Sequence, residues 1–297
     1  MKRLDINCAA AILIVASCWA LVPAQEVEDV VRVDTALVTV NVAVTDSKGR
    51  HISELKAKDF LVSDEGKPVR PEFFDTQGPT SIIFVVDVST SMSGEKWESL
   101  KGGMKKFLAA GREGDDYTLI TFNQAPRLIA LSVSAQDLWR EFSSLKLNGD
   151  TALYDGMLLG FRSLVRVPQR HKSLVLLSDG QDNSSSATLS TVQQEMLALN
   201  ASIYTVGIVR YGYSSREERH GQVLLTELAK ATGGLVFYPK PEEIRTVLVR
   251  ISEDLRRGYS LSYYPPDKTP GWRNIQVHIP QSPTRLSLRY QQRYLIR

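Results

Sequence analysis

Ile82-Ile83-Phe84-Val85-Val86-Asp87-Val88-Ser89-Thr90-Ser91-Met92-Ser93 is the stretch on which the fold turns. Its first half is an unbroken apolar, β-branched run, the pattern of a strand buried on both faces. The run ends in Asp-x-Ser-x-Ser and opens toward a segment with Trp97, Leu100, Met104, Phe107 and Leu108 at helical spacing. Further along the chain the same unit recurs. Strands are predicted at 81–87, 117–122, 173–178 and 202–209, with 127–131 as a weaker edge. Helical stripes lie between them, one of Leu153, Met157 and Leu164 and another of Leu189, Val192, Met196 and Leu199. A last helix starts near Glu242. Pro241 suits its first turn, and Glu242 and Glu243 favour its positive end. Ile244, Val247, Leu248, Ile251 and Leu255 form its stripe, and Gly258 is the expected stop. The fold class is α/β: a doubly wound, mainly parallel sheet covered by helices on both faces.

Outside this block the period changes to two. Val38, Val40, Val42 and Val44 alternate with Thr39, Asn41 and Ala43, as in a half-buried strand. Asp46-Ser47-Lys48-Gly49 and Asp64-Glu65-Gly66-Lys67 read as turns, with Leu61-Val62 between them. Residues 69–74 read as one further strand. After Gly258, strands are predicted at 259–264, 274–279 and 286–290, with Pro265, Pro266 and Pro270 in a turn. Each flank is too short to build a strong core alone. The two are therefore expected to pair as a small β-sandwich, with the α/β domain inserted between them. The divisions read 25–79, 80–257 and 258–297.

Residues 1–24 precede these and carry a secretory signal pattern. Met1-Lys2-Arg3 is basic, Cys8 to Val22 is nearly all apolar, and Val22-Pro23-Ala24 offers small residues before Gln25. An apolar run of about 15 residues is shorter than the about 20 that a membrane span needs, so the mature chain has no transmembrane span in this reading. Val15-Ala16-Ser17-Cys18 also resembles a bacterial lipobox, under which Cys18 would carry a lipid anchor. The expected location is exported: periplasmic, cell-envelope or extracellular. The two cysteines, Cys8 and Cys18, both fall in this segment. The mature chain would hold no disulfide and no cysteine nucleophile. With 297 residues, 43% hydrophobic and 23% charged, the chain has the composition of an ordinary globular protein. A net charge of +3 gives no support to a nucleic-acid partner.

Three loops carry hard oxygen donors. Asp87 ends the first strand, and Ser89 and Ser91 follow at alternate positions. Thr151 stands in Asn148-Gly149-Asp150-Thr151-Ala152-Leu153-Tyr154, a glycine-containing loop that opens a helix. Asp179 ends a second apolar strand in Leu174-Val175-Leu176-Leu177-Ser178-Asp179-Gly180. In an open parallel sheet, ligands gather where strands end at the carboxyl edge. Carboxylates and hydroxyls suit Mg²⁺ or Mn²⁺ better than Zn²⁺, and no Cys or His stands in these loops. Two aspartates only balance a divalent ion. It would accept one more anion, such as an exposed Asp or Glu of a protein ligand.

Asp87, Ser89 and Ser91, with Thr151 and the Ser178-Asp179-Gly180 turn, resemble the metal-ion-dependent adhesion site of von Willebrand factor type A domains, which have a Rossmann-like sheet. The resemblance covers about residues 80–255. The flanking Asp59-Phe60-Leu61-Val62, Glu65-Gly66-Lys67 and 259–264 add a likeness to the bacterial VWFA-related family described from acidobacteria. The resemblance implies that Ser89, Ser91 and Thr151 bind the ion directly or nearly so, and that Asp87 and Asp179 act largely through ordered waters. The family often has a second glycine before its threonine, where this chain has Asp150. The implied function is metal-dependent protein binding or adhesion.

Other readings compete with this one. A Mg²⁺-dependent hydrolase or phosphatase could use Asp87 as nucleophile, but such enzymes usually place a second acid two residues on, where this chain has Ser89. Ser91-Met92-Ser93-Gly94 is not a nucleophile elbow, and His51, His171, His220 and His278 show no partner pattern. The chain is read as a non-enzyme, with a scaffold carrying an idle metal as the other alternative. Arg285, Arg289, Arg293 and Arg297, with Tyr290 and Tyr294 between them, read as a solvated strand face. Asp182-Asn183-Ser184-Ser185 borders the metal loop, as a ligand contact or a plain polar loop. Tyr211-Gly212-Tyr213-Ser214-Ser215-Arg216 reads as a surface loop near the same edge.

Overall fold

Thr80–Asp87 forms the strand at the centre of the molecule, and all eight of its residues are buried. The structure is a computed structural model that describes residues 37–76, 78–196, 199, 201–208, 216–280 and 285–296. These lie in one compact unit. The readings that concern the export signal, Cys18 and 211–215 fall outside the described residues, as does the end of the strand predicted at 202–209. In chain order the strands are β1 (Val38–Thr45), β2 (Leu61–Asp64), β3 (Lys67–Val69), β4 (Phe73–Thr76), β5 (Thr80–Asp87), β6 (Asp116–Phe122) and β7 (Pro126–Val133). They continue as β8 (His171–Ser178), β9 (Ser202–Gly207), β10 (Val236–Phe237), β11 (Tyr259–Tyr263), β12 (Gly271–His278), β13 (Ser287–Arg289) and β14 (Arg293–Ile296). The helices are α1 (Glu95–Ala109), α2 (Ala135–Ser143), α3 (Leu153–Ser163), α4 (Leu189–Met196), α5 (Arg216–Ala231) and α6 (Ile244–Leu255).

The central sheet runs β10-β9-β8-β5-β6-β7. Its pairs are parallel except β6–β7, where the predicted edge strand runs antiparallel. The chain builds outward from β5 through β6 and β7, then returns to the other side of β5 and builds outward through β8, β9 and β10. The strand order therefore reverses between β5 and β8, the position whose carboxyl ends gather ligands in open sheets. Alternate residues serve opposite layers. Ile82, Phe84 and Val86 join the core under α1, α2 and α6. Ile83 and Val85 join the core under α3, α4 and α5. The period of two along a buried strand thus feeds two separate hydrophobic cores.

The two flanks share a third core. Sheets β13-β1-β11-β4 and β14-β12-β2-β3 each mix N-terminal and C-terminal strands. β1 pairs antiparallel with β11, from Val38 opposite Tyr263 to Val42 opposite Tyr259. β2 pairs with β12. Val38, Val40, Val42 and Val44 enclose this core with Phe60, Val62, Tyr259, Leu261, Tyr263, Ile275 and Val277. Each such side chain stabilises by about 1.5–3 kcal/mol on burial.

Several local expectations need correction. The strand predicted at 69–74 is two strands in different sheets, β3 beside β2 and β4 beside β11. The break falls at Pro71, which has no N–H for a ladder. α6 ends at Leu255 with Arg256 as its C-cap, so Gly258 does not stop it. The stripe of α4 is Val192 and Met196, because Leu189 is 39% exposed and Leu199 lies beyond the helix. The elements α2, α5, β10 and β14 were not predicted.

The basic C-terminal residues are not one solvated face. Arg289 donates to the buried Asp254 at 2.5 Å, and to the carbonyls of Gly233 and Gly234. His51 Nε2 lies 3.0 Å from the same carboxylate, and the Tyr204 hydroxyl donates to it at 2.7 Å. Asp254 thus ties α6 and β9 to the sandwich. His171 also has an aspartate partner, Asp75, at 3.0 Å.

Candidate metal centre

The register of β5 against β8 places Val86 opposite Leu177. One residue further on, the Ser178 hydroxyl donates to Asp87 Oδ2 at 2.9 Å. The Ser89 backbone N–H donates to Asp87 Oδ1, also at 2.9 Å. Ser89 is the N-cap of a short 3₁₀ turn, Thr90–Met92, and its hydroxyl lies 3.0 Å from that of Ser91. On the neighbouring strand end, the Gln181 N–H donates to Asp179 Oδ1 at 3.2 Å. Gly180 takes a left-handed φ of +84°, which suits glycine. The turn is supported from behind by α5, whose Gly221 touches it backbone to backbone: a Cβ there would fall 1.8 Å from the Gly180 oxygen.

The third loop is sewn to the other two. The Asn148 N–H donates to the Val88 carbonyl at 2.9 Å, and the Thr90 N–H to the Gly149 carbonyl at 3.2 Å. The Thr151 N–H donates to Asn183 Oδ1 at 2.8 Å. The structure therefore brings the three predicted loops to one edge of the sheet. Asp87 is 0%, Ser89 1%, Thr151 4% and Asp179 3% exposed. Ser91 is half-buried, and Asp150 is exposed beside Thr151.

Burial, reinforced by the charge of Asp179, pushes the Asp87 carboxyl up to about 6. Hydrogen bonds from Ser89 and Ser178 offset only part of this. The donors that reach it are neutral, and the charge that raises it further is a second carboxylate, so a positive ion would relieve both penalties. Among the described residues, no group of three or more His, Cys, Asp or Glu is placed to hold a metal. The donor set at this edge is of another kind, two aspartates among hydroxyls, and its chemistry fits a hard cation.

Three residues do more than their local sequence signals. Ser178, a turn residue by sequence, joins the two strand ends. Asp155, in the first turn of α3, looks like an ordinary helix-start acid. Its partners Ser186 and Ala187 lie far along the chain. Asn183 was read within a polar loop. Side chains that bond to a distant backbone leave no local periodicity to read.

A family model for the von Willebrand factor type A domain matches residues 81–253. The chain belongs to this family, whose domain is a known adhesion and protein-interaction module. It is similar to inter-alpha-trypsin inhibitor heavy chain H1 from Sus scrofa, with 30% identity over 147 residues, 44% of this chain and 16% of that protein. It is also similar to heavy chain H2 from Homo sapiens, at 28% over 164 residues, 48% of this chain and 17% of that one. The match thus spans less than a fifth of either relative. Among solved structures, a von Willebrand factor type A protein from Catenulispora acidiphila superposes with a TM-score of 0.52 at 12% identity, covering 89% of this chain and 74% of that one. That coverage takes in strands outside 81–253. Proximal thread matrix protein 1 from the mussel byssus gives a TM-score of 0.51 at 16% identity, covering 65% of this chain and 51% of that one. At these identities the likeness is one of fold.

Proposed function

We propose that this chain is an exported, metal-dependent protein-binding or adhesion module, with Asp87, Ser89, Ser91, Thr151 and Asp179 holding a Mg²⁺ or Mn²⁺ ion. The observation that carries the reading is the meeting of two buried, negatively charged strand ends with a hydroxyl-bearing loop at the point where the strand order reverses. A cation bound there would offer an open position to an Asp or Glu side chain of a partner protein. The chain's own residues do the rest. Ser178 and the Ser89 N–H orient Asp87, the Gln181 N–H orients Asp179, and the exposed Thr90, Asp150 and Asn183 form a rim that a partner would meet.

The same geometry speaks against phosphoryl transfer. Asp87 has both oxygens engaged and no exposed surface from which to attack a phosphorus atom. Export rests on the signal pattern of residues 1–24. Among the described residues, no helix is long and apolar enough to cross a membrane.

The test is a pull-down from the cell envelope with the full mature chain, in Mg²⁺ and in EDTA, with Asp179→Ala as control. A partner captured in Mg²⁺ and lost in both other arms supports the reading. A partner retained in EDTA overturns it.

A further inference from the structure

α3 starts without a side-chain cap of its own, because its N-cap residue is Ala152. A helix whose first N–H groups lack partners is costly, and the preceding residue usually supplies the acceptor. Here the acceptors come from 182–187, the loop that follows Asp179. Asp182 Oδ1 accepts from the Tyr154 N–H at 3.2 Å, and Ser185 Oγ accepts from the Asp155 N–H at 3.2 Å. The Asp155 carboxylate reciprocates, accepting from the N–H groups of Ser186 at 2.8 Å and Ala187 at 2.9 Å. The Ser185 hydroxyl closes the set by donating to Asp182 Oδ1 at 2.5 Å.

Two residues before this helix, the same loop grips Thr151 on both sides of its backbone. Asn183 Oδ1 takes the Thr151 N–H at 2.8 Å. The N–H groups of Asn183 and Ser184 both reach the Thr151 carbonyl, at 3.0 and 3.2 Å. Asp87, Ser89 and Ser91 belong to the end of β5 and the loop after it, and Asp179 follows β8. Thr151 follows neither strand, so its position relative to the others depends on contacts of this kind.

We infer that 182–187 is a clasp that fixes the Thr151 loop against the Asp179 turn. Asn183 is a positioning residue of the cation site, setting its affinity through Thr151. The inference rests on the metal reading above. Removing the Asn183 acceptor leaves the N–H of a buried threonine without its partner and frees the loop to shift. Groups that hold a ligand in place without touching the ion typically change metal affinity on the order of tenfold to a hundredfold. Tyr294 belongs to the sandwich core and bonds to Asp64, so its variant separates positioning from plain stability.

The experiment titrates Mn²⁺ into the full mature chain and follows both affinity and water-proton relaxation per bound ion. Asn183→Ala is expected to weaken Mn²⁺ binding by on the order of tenfold and to raise the relaxation per ion, as a water takes the place Thr151 vacates. Asn183→Asp keeps the acceptor and restores affinity. Tyr294→Phe lowers the melting temperature and leaves affinity unchanged. Asn183→Gln displaces the acceptor by one methylene and is expected to give intermediate affinity, which decides the matter should the alanine variant not fold. Unchanged Mn²⁺ affinity in Asn183→Ala, or in Asn183→Gln, overturns the inference and leaves the metal reading standing. Failure of the unsubstituted chain to bind Mn²⁺ overturns both.

Discussion

Asp87 and Asp254 are both buried aspartates, and their surroundings push them in opposite directions. Burial raises each. At Asp254 the hydrogen bond from His51, the charge and hydrogen bond of Arg289 and the Tyr204 hydroxyl outweigh it and hold the carboxyl below its ordinary range. At Asp87 the neighbouring Asp179 adds to burial, neutral donors answer only in part, and the carboxyl rises to about 6. The first is a completed ion cluster that joins two modules. The second is a buried carboxylate raised by burial and by a second carboxylate, with only neutral donors to answer them. The contrast sets a paired charge beside an unpaired one in a single chain.

The largest expected effect lies at the completed cluster. Asp254→Ala strips a buried partner from Arg289, His51 and Tyr204, and is expected to cost on the order of 3–5 kcal/mol in a denaturant titration. The pH dependence has a definite sign. Because the folded carboxyl sits below its ordinary value of 3.8, its contribution is full above that pH and is lost as pH falls through the lower folded value. Asp254→Asn should therefore flatten the acid limb of the stability curve below about pH 4.

Asp87→Asn tests the other half of the contrast, and its sign is opposite. The amide oxygen keeps the Ser89 N–H, its NH₂ can donate to Ser178 Oγ, and the repulsion from Asp179 disappears. The cation-free chain is expected to gain on the order of 2 kcal/mol and to lose metal binding. A loss of stability in EDTA would break the contrast. Ser178→Ala removes one donor to the Asp87 carboxylate and is expected to cost about 1.5 kcal/mol, with Mg²⁺ restoring part of the loss, measured by melting with and without the ion.

Asp64 sharpens the comparison at the small end. It is 1% exposed and accepts from the hydroxyls of Tyr263 at 3.1 Å and Tyr294 at 2.6 Å. Burial and the adjacent Asp64 charge hold both phenols well above their ordinary range. Tyr294→Phe is expected to cost about 1 kcal/mol by thermal melting, and no more, since Tyr263 remains.

Most of the α/β block is legible because its signals are local, although α2, α5 and β10 escape it. An apolar run such as 82–86 and a stripe such as Trp97, Leu100 and Met104 each declare their period within one element. Asp87 and Asp179 stand out in the sequence because each ends such a run, whereas Thr151 follows no strand and is marked only by the helix it precedes and by the resemblance. The sandwich was legible as a pairing of flanks but not in detail: β3 and β4 merged across Pro71, and β14 was missed among charged and aromatic residues. The stretch 182–185 reads only as a polar loop beside the expected metal site, and neither its hydrogen bonds nor the Asp254 cluster shows in the pattern. Each is made by side chains reaching groups more than 25 residues away, as Tyr204 does to Asp254 with a separation of 50, and periodicity carries no information about such pairs.

The central claim is that two buried strand ends and a threonine loop hold one hard cation. Calorimetric titration of Mg²⁺ or Mn²⁺ into the full chain tests it most directly, beside an Asp87→Ala/Asp179→Ala variant. One ion per chain, absent in the variant, is the expected result. No binding, or equal binding by the variant, would contradict it.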